Sequence, residues 1–216
     1  MNTESSSTSK PCVSNKHQTS AASLPDNGNS PAKSANDKLV VDGMNLIFAG
    51  VNQQPNLTKL LVVLVELKRI GSNFICCFDA STYWRLANLP CDRDVKNYNA
   101  LVREFPDIFV PVPAGKQADD YILAYANRHN LRVVSNDCYR EYTDRYPWLK
   151  NAPERRIPVL FFGDNYCIEE LGIDGQIECH PLEISQRLWG YLDMIKHAKV
   201  KALNHFEMAT HRMAFA

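Results

Sequence analysis

The sequence predicts an α/β fold: a doubly wound, mostly parallel sheet flanked by helices, with one long helix added at the C-terminal side. Three observations carry this expectation. Short, largely apolar runs recur along the chain, as in Leu39-Val-Val, Phe74-Ile-Cys-Cys-Phe and Leu131-Arg-Val-Val. Segments with helical spacing of apolar residues alternate with them, and Gly, Pro and Asp punctuate the joins. Strands that are apolar on both sides need cover on both faces, which parallel pairing with crossover helices provides.

In chain order, Leu39–Asp42 is a buried strand stopped by a turn at Asp42-Gly43. Leu57–Ile70 carries apolar residues at 57, 60, 61, 64 and 67 and ends at Gly71, an amphipathic helix with a C-terminal stop signal. Phe74–Phe78 is the second strand, Asp94–Phe105 a helix, Ile108–Val112 a strand, Gln117–His129 a helix and Leu131–Ser135 a strand. Ile157–Phe162 and Tyr166–Ile168, joined by Gly163-Asp164-Asn165, form a terminal hairpin. From Glu183 to about Met208, near-helical apolar spacing gives one long helix, weakly interrupted at Gly190. No internal repeat is present.

The chain of 216 residues holds 24 Lys+Arg and 24 Asp+Glu, for a formal net charge of zero. Function must therefore come from local constellations, and coating of nucleic acid by a global positive field is excluded. All nine Phe, nine Tyr and three Trp lie at or after Phe48. Residues 1–37, rich in Ser, Asn, Thr, Lys, Ala and Pro, lack the apolar surface to offset their chain entropy and are expected to be a disordered tail. The expected organisation is thus a tail at 1–37, a folded domain at 38–180 and a helix at 181–216. Neither a secretory or mitochondrial presequence nor a membrane span is expected. The seven cysteines form no Cys-x-x-Cys pair, so a reducing, cytoplasmic setting is expected.

In an open parallel sheet, ligands bind beyond the C-terminal strand ends. Three predicted strands finish in or just before Asp42, Asp79 and Asp137, and Asp119-Asp120 opens a helix at the same edge. Each carboxylate alone could be a turn former, a cap or a partner of a helix dipole. Together they repel one another, and stability gives no reason to gather them. A hard divalent cation removes the conflict, and Mg²⁺ takes one or two carboxylates, several waters and a phosphate oxygen. The chemistry that follows is phosphoryl transfer. Lys116, Arg140, Arg145, Arg155 and Arg156 lie near these acids in sequence and suit a polyanion, the alternative being solvated surface charge. Tyr139, Tyr142 and Trp148, interleaved with them, suit stacking on unpaired bases, against an alternative core role for Trp148. No His lies beside the acidic motifs, which favours metal chemistry over a His general base.

Val41-Asp42-Gly43-Met44-Asn45, Lys116-Gln117-Ala118-Asp119-Asp120-Tyr121-Ile122 and Val134-Ser135-Asn136-Asp137-Cys138-Tyr139-Arg140-Glu141 together resemble the nuclease domain of the Regnase/MCPIP-type ribonucleases, a PIN-like NYN fold. Arg145-Tyr146-Pro147-Trp148-Leu149 and Arg155-Arg156-Ile157-Pro158 resemble its stand-alone bacterial branch. The likeness covers about residues 38–170. It implies Mg²⁺-dependent endonucleolytic cleavage of single-stranded or loop RNA, with Mn²⁺ as an alternative ion. It assigns metal binding to Asp42, Asp119, Asp120 and Asp137, and catalytic roles to these with Asn45 and Glu141. Lys116, Ser135, Asn136, Arg140, Arg145, Arg155 and Arg156 fall on the RNA side, and Asp79 behind the metal-holding acids. Glu141 is one methylene longer than the Asp of animal members. The CCCH zinc finger of those proteins is missing from this chain.

A different class of function, a catalytically silent RNA- or protein-binding module on the same fold, is disfavoured because every acidic motif position is filled. A haloacid-dehalogenase-type phosphatase needs a second Asp two residues after the first, where Met44 stands. The C-terminal helix carries Lys196, His197, Lys199, Lys201, His205, His211 and Arg212. It reads as a solvated basic face, with RNA contact or a homodimer interface as alternatives.

Overall fold

The computed structural model describes residues 38–50, 54–90, 92–177 and 181–214, with side chains as far as 198. The 1–37 tail, and the side chains of Lys199, Lys201, His205, His211 and Arg212, lie outside that description. Five strands pair in parallel in the order β3-β2-β1-β4-β5. They are β1 (Lys38–Asp42), β2 (Asn73–Phe78), β3 (Phe109–Pro111), β4 (Arg132–Val134) and β5 (Arg156–Ile157). The central β1 sets Val41 beside Cys76 on one flank and Val134 on the other. Strand order reverses between β1 and β4, so the crevice at their C-terminal ends is where a ligand site is expected.

Alternate side chains of these strands feed two apolar layers. Leu39, Val41, Phe74, Cys76 and Phe78 face α1 (Gly43–Ile47), α2 (Leu57–Arg69) and α4 (Arg93–Glu104). Val40, Ile75, Cys77 and Val133 face α5 (Ala118–His129). Cover on both faces is why β1 and β2 are apolar almost throughout. Helix α2 is buried around most of its circumference, because the 34-residue α7 (Pro181–Ala214) packs on its outer side. Its first turn is capped twice: Asn56 Oδ1 accepts from the Thr58 N–H at 2.9 Å, and Asp94 of α4 accepts from the Leu57 N–H at 3.1 Å. Two short helices, α3 (Thr82–Ala87) and α6 (Trp148–Asn151), follow the ends of β2 and precede β5.

Several expectations need correction. Gly43 begins α1 instead of forming a simple turn, because Asp42 caps that helix through its own side chain. A Cβ at Gly43 would lie 2.5 Å from the Phe78 ring, so only glycine lets the helix start this close to β2. The predicted strand Ile157–Phe162 is two strands. Pro158 offers no N–H to the ladder, so β5 stops at Ile157 and the chain restarts as β6 (Leu160–Phe162). The expected hairpin with β7 (Asn165–Ile168) is present, and β8 (Ile173–Gln176) completes an antiparallel sheet in the order β6-β7-β8. Ile-Asp-Gly-Gln has a poor strand composition, but Gly175 is required there, since a Cβ would meet the Tyr166 hydroxyl at 2.6 Å. Gly190 does not interrupt α7, whose neighbouring Trp189 packs edge-on against Phe105 at 5.1 Å. Among the described residues no helix is long and apolar enough to cross a membrane.

Candidate active site

Asp42 ends β1 and is 5% exposed. Its Oδ1 accepts from the Asn45 N–H at 3.0 Å, and its Oδ2 accepts from Ser135 Oγ at 3.0 Å and the Tyr139 hydroxyl at 2.8 Å. Burial pushes its carboxyl above the usual range and the Asp137 charge adds to this, outweighing the three hydrogen bonds that favour the anion. The Tyr139 phenol is pushed well up by burial and by Asp42, so it keeps its proton and donates.

Beyond β4, Ser135 is fully buried, its Oγ accepting from the Asp137 N–H at 3.1 Å while donating to Asp42, so the side chain joins the two acids and departs from its expected RNA-facing role. Asp137 Oδ1 accepts from the Tyr139 N–H at 2.7 Å, a local turn that places Tyr139 at φ +48°. Asn136 donates its backbone N–H to Asn45 Oδ1 at 2.8 Å. Its side chain also pairs with both backbone groups of Val159, at 2.9 and 2.7 Å. Asn45 is thereby fixed between β1 and β4.

Asp119, in the first turn of α5, is the electrostatic focus. Burial first, then the charges of Asp42, Asp137, Glu141 and Asp79, push its carboxyl up to about 6. Asp79 behaves oppositely, held low by hydrogen bonds from the Ser81 side chain and backbone. Asp42, Asn45, Asp79, Asp119 and Asp137 line one open cleft of about 530 Å³. The expected convergence at the sheet edge therefore holds for these residues, and Asp79 stands in the cleft itself. Asp120 does not join them and forms an ion pair with Arg145. Glu141 lies in the 3-10 turn Arg140–Tyr142 with its charge felt at Asp119.

The basic residues separate. Lys116 and Arg140 are exposed near the site, and Arg156 lends a hydrogen bond to the Ser135 carbonyl at 3.4 Å. Arg155 departs from its expected RNA-facing role. Its guanidinium donates to the Ala126 and Leu131 carbonyls at 3.1 and 3.0 Å and stacks on Trp148 at 4.2 Å, tying α5 to α6. Tyr139 and Trp148 are both buried, so neither offers a face to a base. Tyr142 donates to Gln117 at 2.6 Å. Sequence reasoning missed Arg85, Ser81 and Gln117 in the cleft lining. Arg85 is held by Ser81 Oγ at 3.1 Å and lies over the Phe48 ring at 5.4 Å. The one signal for it was its position one helical turn after Ser81, shortly past the strand end at Asp79.

The Asp119 shift has a sign. In the metal-free protein the folded state retains a proton up to about pH 6, whereas the unfolded chain releases it near 3.8. The folded state thus holds the extra proton between these values, and this group's contribution to stability falls as pH rises across that window. We expect Asp119→Asn to remove that slope, leaving the metal-free variant more stable than the wild type at neutral pH and equal to it in acid. Thermal unfolding against pH, in chelator, measures this.

Fold and cleft together define an open α/β domain with an acidic crevice beyond the C-terminal strand ends. A structure of the nuclear proteinaceous RNase P 2 (PRORP2) from Arabidopsis thaliana matches with 21% identity and a TM-score of 0.50, over 62% of this chain and 29% of that one. A second PRORP2 structure gives 22% and 0.49 over the same shares. The PIN-domain endonuclease Utp24 gives 15% and 0.30 over 65% of this chain and 96% of its own. The match spans less than a third of PRORP2, and the likeness is one of fold. Comparison with curated protein sequences finds no match. The family described as the Zc3h12a-like ribonuclease NYN domain matches residues 35–174, and the chain belongs to that family.

Proposed function

We propose that this protein is a Mg²⁺-dependent endoribonuclease acting on single-stranded or loop RNA. The observation that carries the reading is the gathering of Asp42, Asp119 and Asp137 in one cleft, with the Asp119 proton affinity raised by its neighbours. Among the described residues no three His, Cys, Asp or Glu side chains form a ready-made cage for an ion. The donor set nonetheless fits a cation that keeps most of its water and needs only one or two direct carboxylates. Asp42, Asp119 and Asp137 would hold it. When bound, the ion supplies charge stabilisation at a phosphate oxygen and acidifies a water.

The chain's own residues do the rest. Ser135, Tyr139 and the Asn45 backbone hold Asp42 through both of its carboxylate oxygens and fix its plane where it lines the cleft. Asn45, fixed by Asn136, presents its amide to the same space. Arg85 on the cleft wall, with Lys116 and Arg140 outside it, supplies positive charge for the phosphate backbone. We assign this activity to a domain at 38–180.

Incubation of the protein with an RNA containing both loops and duplex tests the reading. Cleavage is expected with Mg²⁺ or Mn²⁺, confined to unpaired segments, and lost in EDTA. Cleavage that persists in EDTA overturns the metal-dependent reading, and RNA retardation on a gel without cleavage identifies a silent binding module.

A further inference from the structure

We propose that Tyr139 is a positioning residue that sets the spacing and rotation of the Asp42 and Asp137 carboxylates, one held by its phenol and the other by its backbone N–H. The inference rests on the nuclease reading above and concerns how that site is kept in register.

Among the described residues Tyr139 heads the fully buried side chains by volume, and its ring lies in the apolar layer with Val40, Cys77 and Ile122. Packing alone is met by Phe. A hydroxyl in such a layer is unfavourable unless it is hydrogen-bonded, and here its partner is Asp42 Oδ2 at 2.8 Å. The backbone adds a second oddity, since φ +48° is a region that bulky L-residues rarely adopt. That conformation accompanies the 2.7 Å hydrogen bond from the Tyr139 N–H to Asp137 Oδ1. Two locally unfavourable features thus share one outcome: each end of a single rigid residue grips a different carboxylate of the cleft. Ser135 repeats the link with one oxygen, donating to Asp42 Oδ2 at 3.0 Å and accepting from the Asp137 N–H at 3.1 Å. The pair forms a closed loop of hydrogen bonds through both acids. Groups that orient metal-holding carboxylates commonly govern affinity without touching the ion.

The test uses Tyr139→Phe, which keeps the ring and removes the hydroxyl, and Ser135→Ala, which opens the loop on its other side. Titration calorimetry with MgCl₂ on the RNA-free protein reads affinity. Steady-state cleavage of the mixed-structure RNA reads kcat and KM, and thermal unfolding reads stability. Each variant is expected to bind Mg²⁺ about tenfold more weakly, to lose kcat at limiting Mg²⁺, and to keep its KM for RNA within about twofold. Should Tyr139→Phe fail to fold, Ser135→Ala decides on the same readings. A variant that melts earlier but binds Mg²⁺ with wild-type affinity shows a merely structural tyrosine and overturns the proposal alone. A wild-type protein that neither binds Mg²⁺ nor cleaves the RNA in its presence overturns it together with the nuclease reading.

Discussion

Asp42→Asn is expected to reduce RNA cleavage by about 10²- to 10³-fold, the scale of losing one preorganised electrostatic group, while leaving the fold intact. Asp42 is buried and its ionised form is opposed by burial and by Asp137, so its charge does not hold the apo protein together. An amide of the same shape can still accept from the Asn45 N–H, and the hydroxyls of Ser135 and Tyr139 can turn to receive its NH₂. The two hydroxyl protons then lose their acceptor, so a stability loss of about 1–3 kcal/mol is expected in chelator, offset in part by removal of a buried charge. Multiple-turnover cleavage at saturating Mg²⁺, with denaturant unfolding of the same preparations, separates the two quantities. Cutting at the wild-type rate would place the reacting centre elsewhere. A large loss of stability would mean that the carboxylate is a structural anchor.

Phe78→Ala is expected to give the largest stability loss. The ring is fully buried, meets Tyr98 edge-on at 5.0 Å and lies over Phe109 at 6.3 Å. Removing a large aromatic from such a site costs about 3–5 kcal/mol, or roughly 10–15 °C in a domain of this size. Leu160→Ala, at a position 46% exposed, serves as the contrast and should change stability by no more than about 0.5 kcal/mol. Equal unfolding midpoints for the two would contradict the core described above. Phe78 also fills the space beside Gly43, next to Asp42, so its loss should weaken Mg²⁺ binding as well.

Much of this architecture was legible in the residues. Continuous apolar runs marked β1 and β2 because both faces of the parallel sheet are covered, and strand-end acids marked the edge where the cleft opens. The parts that escaped depend on contacts distant in sequence. Helix α1 exists because Asp42 turns its side chain back onto Asn45, and strand β8 because Gly175 accommodates Tyr166. Neither is visible in a local pattern. Within the site, Asp119 and Asp120 are equivalent in sequence, and only the fold turns one to the cleft and pairs the other with Arg145. Tyr139 looked like a surface aromatic among basic residues, since its left-handed backbone, which sends the ring inward, has no composition signal. Arg155 misled for a related reason: a guanidinium can serve backbone carbonyls as readily as phosphates.

Asn136 gives the molecule a mechanical property beyond its local bonds. Val159 is where the chain leaves the parallel sheet for the antiparallel one, and a junction of two residues between sheets is ordinarily a place of play. The Asn136 side chain mimics a peptide unit there, holding both backbone groups of Val159 as a neighbouring strand would, while the Asn136 backbone N–H donates to Asn45 Oδ1. The seam that topology would leave loosest is thereby stitched to the floor of the cleft. Tilting of the small sheet is resisted at the same residue that keeps the site still.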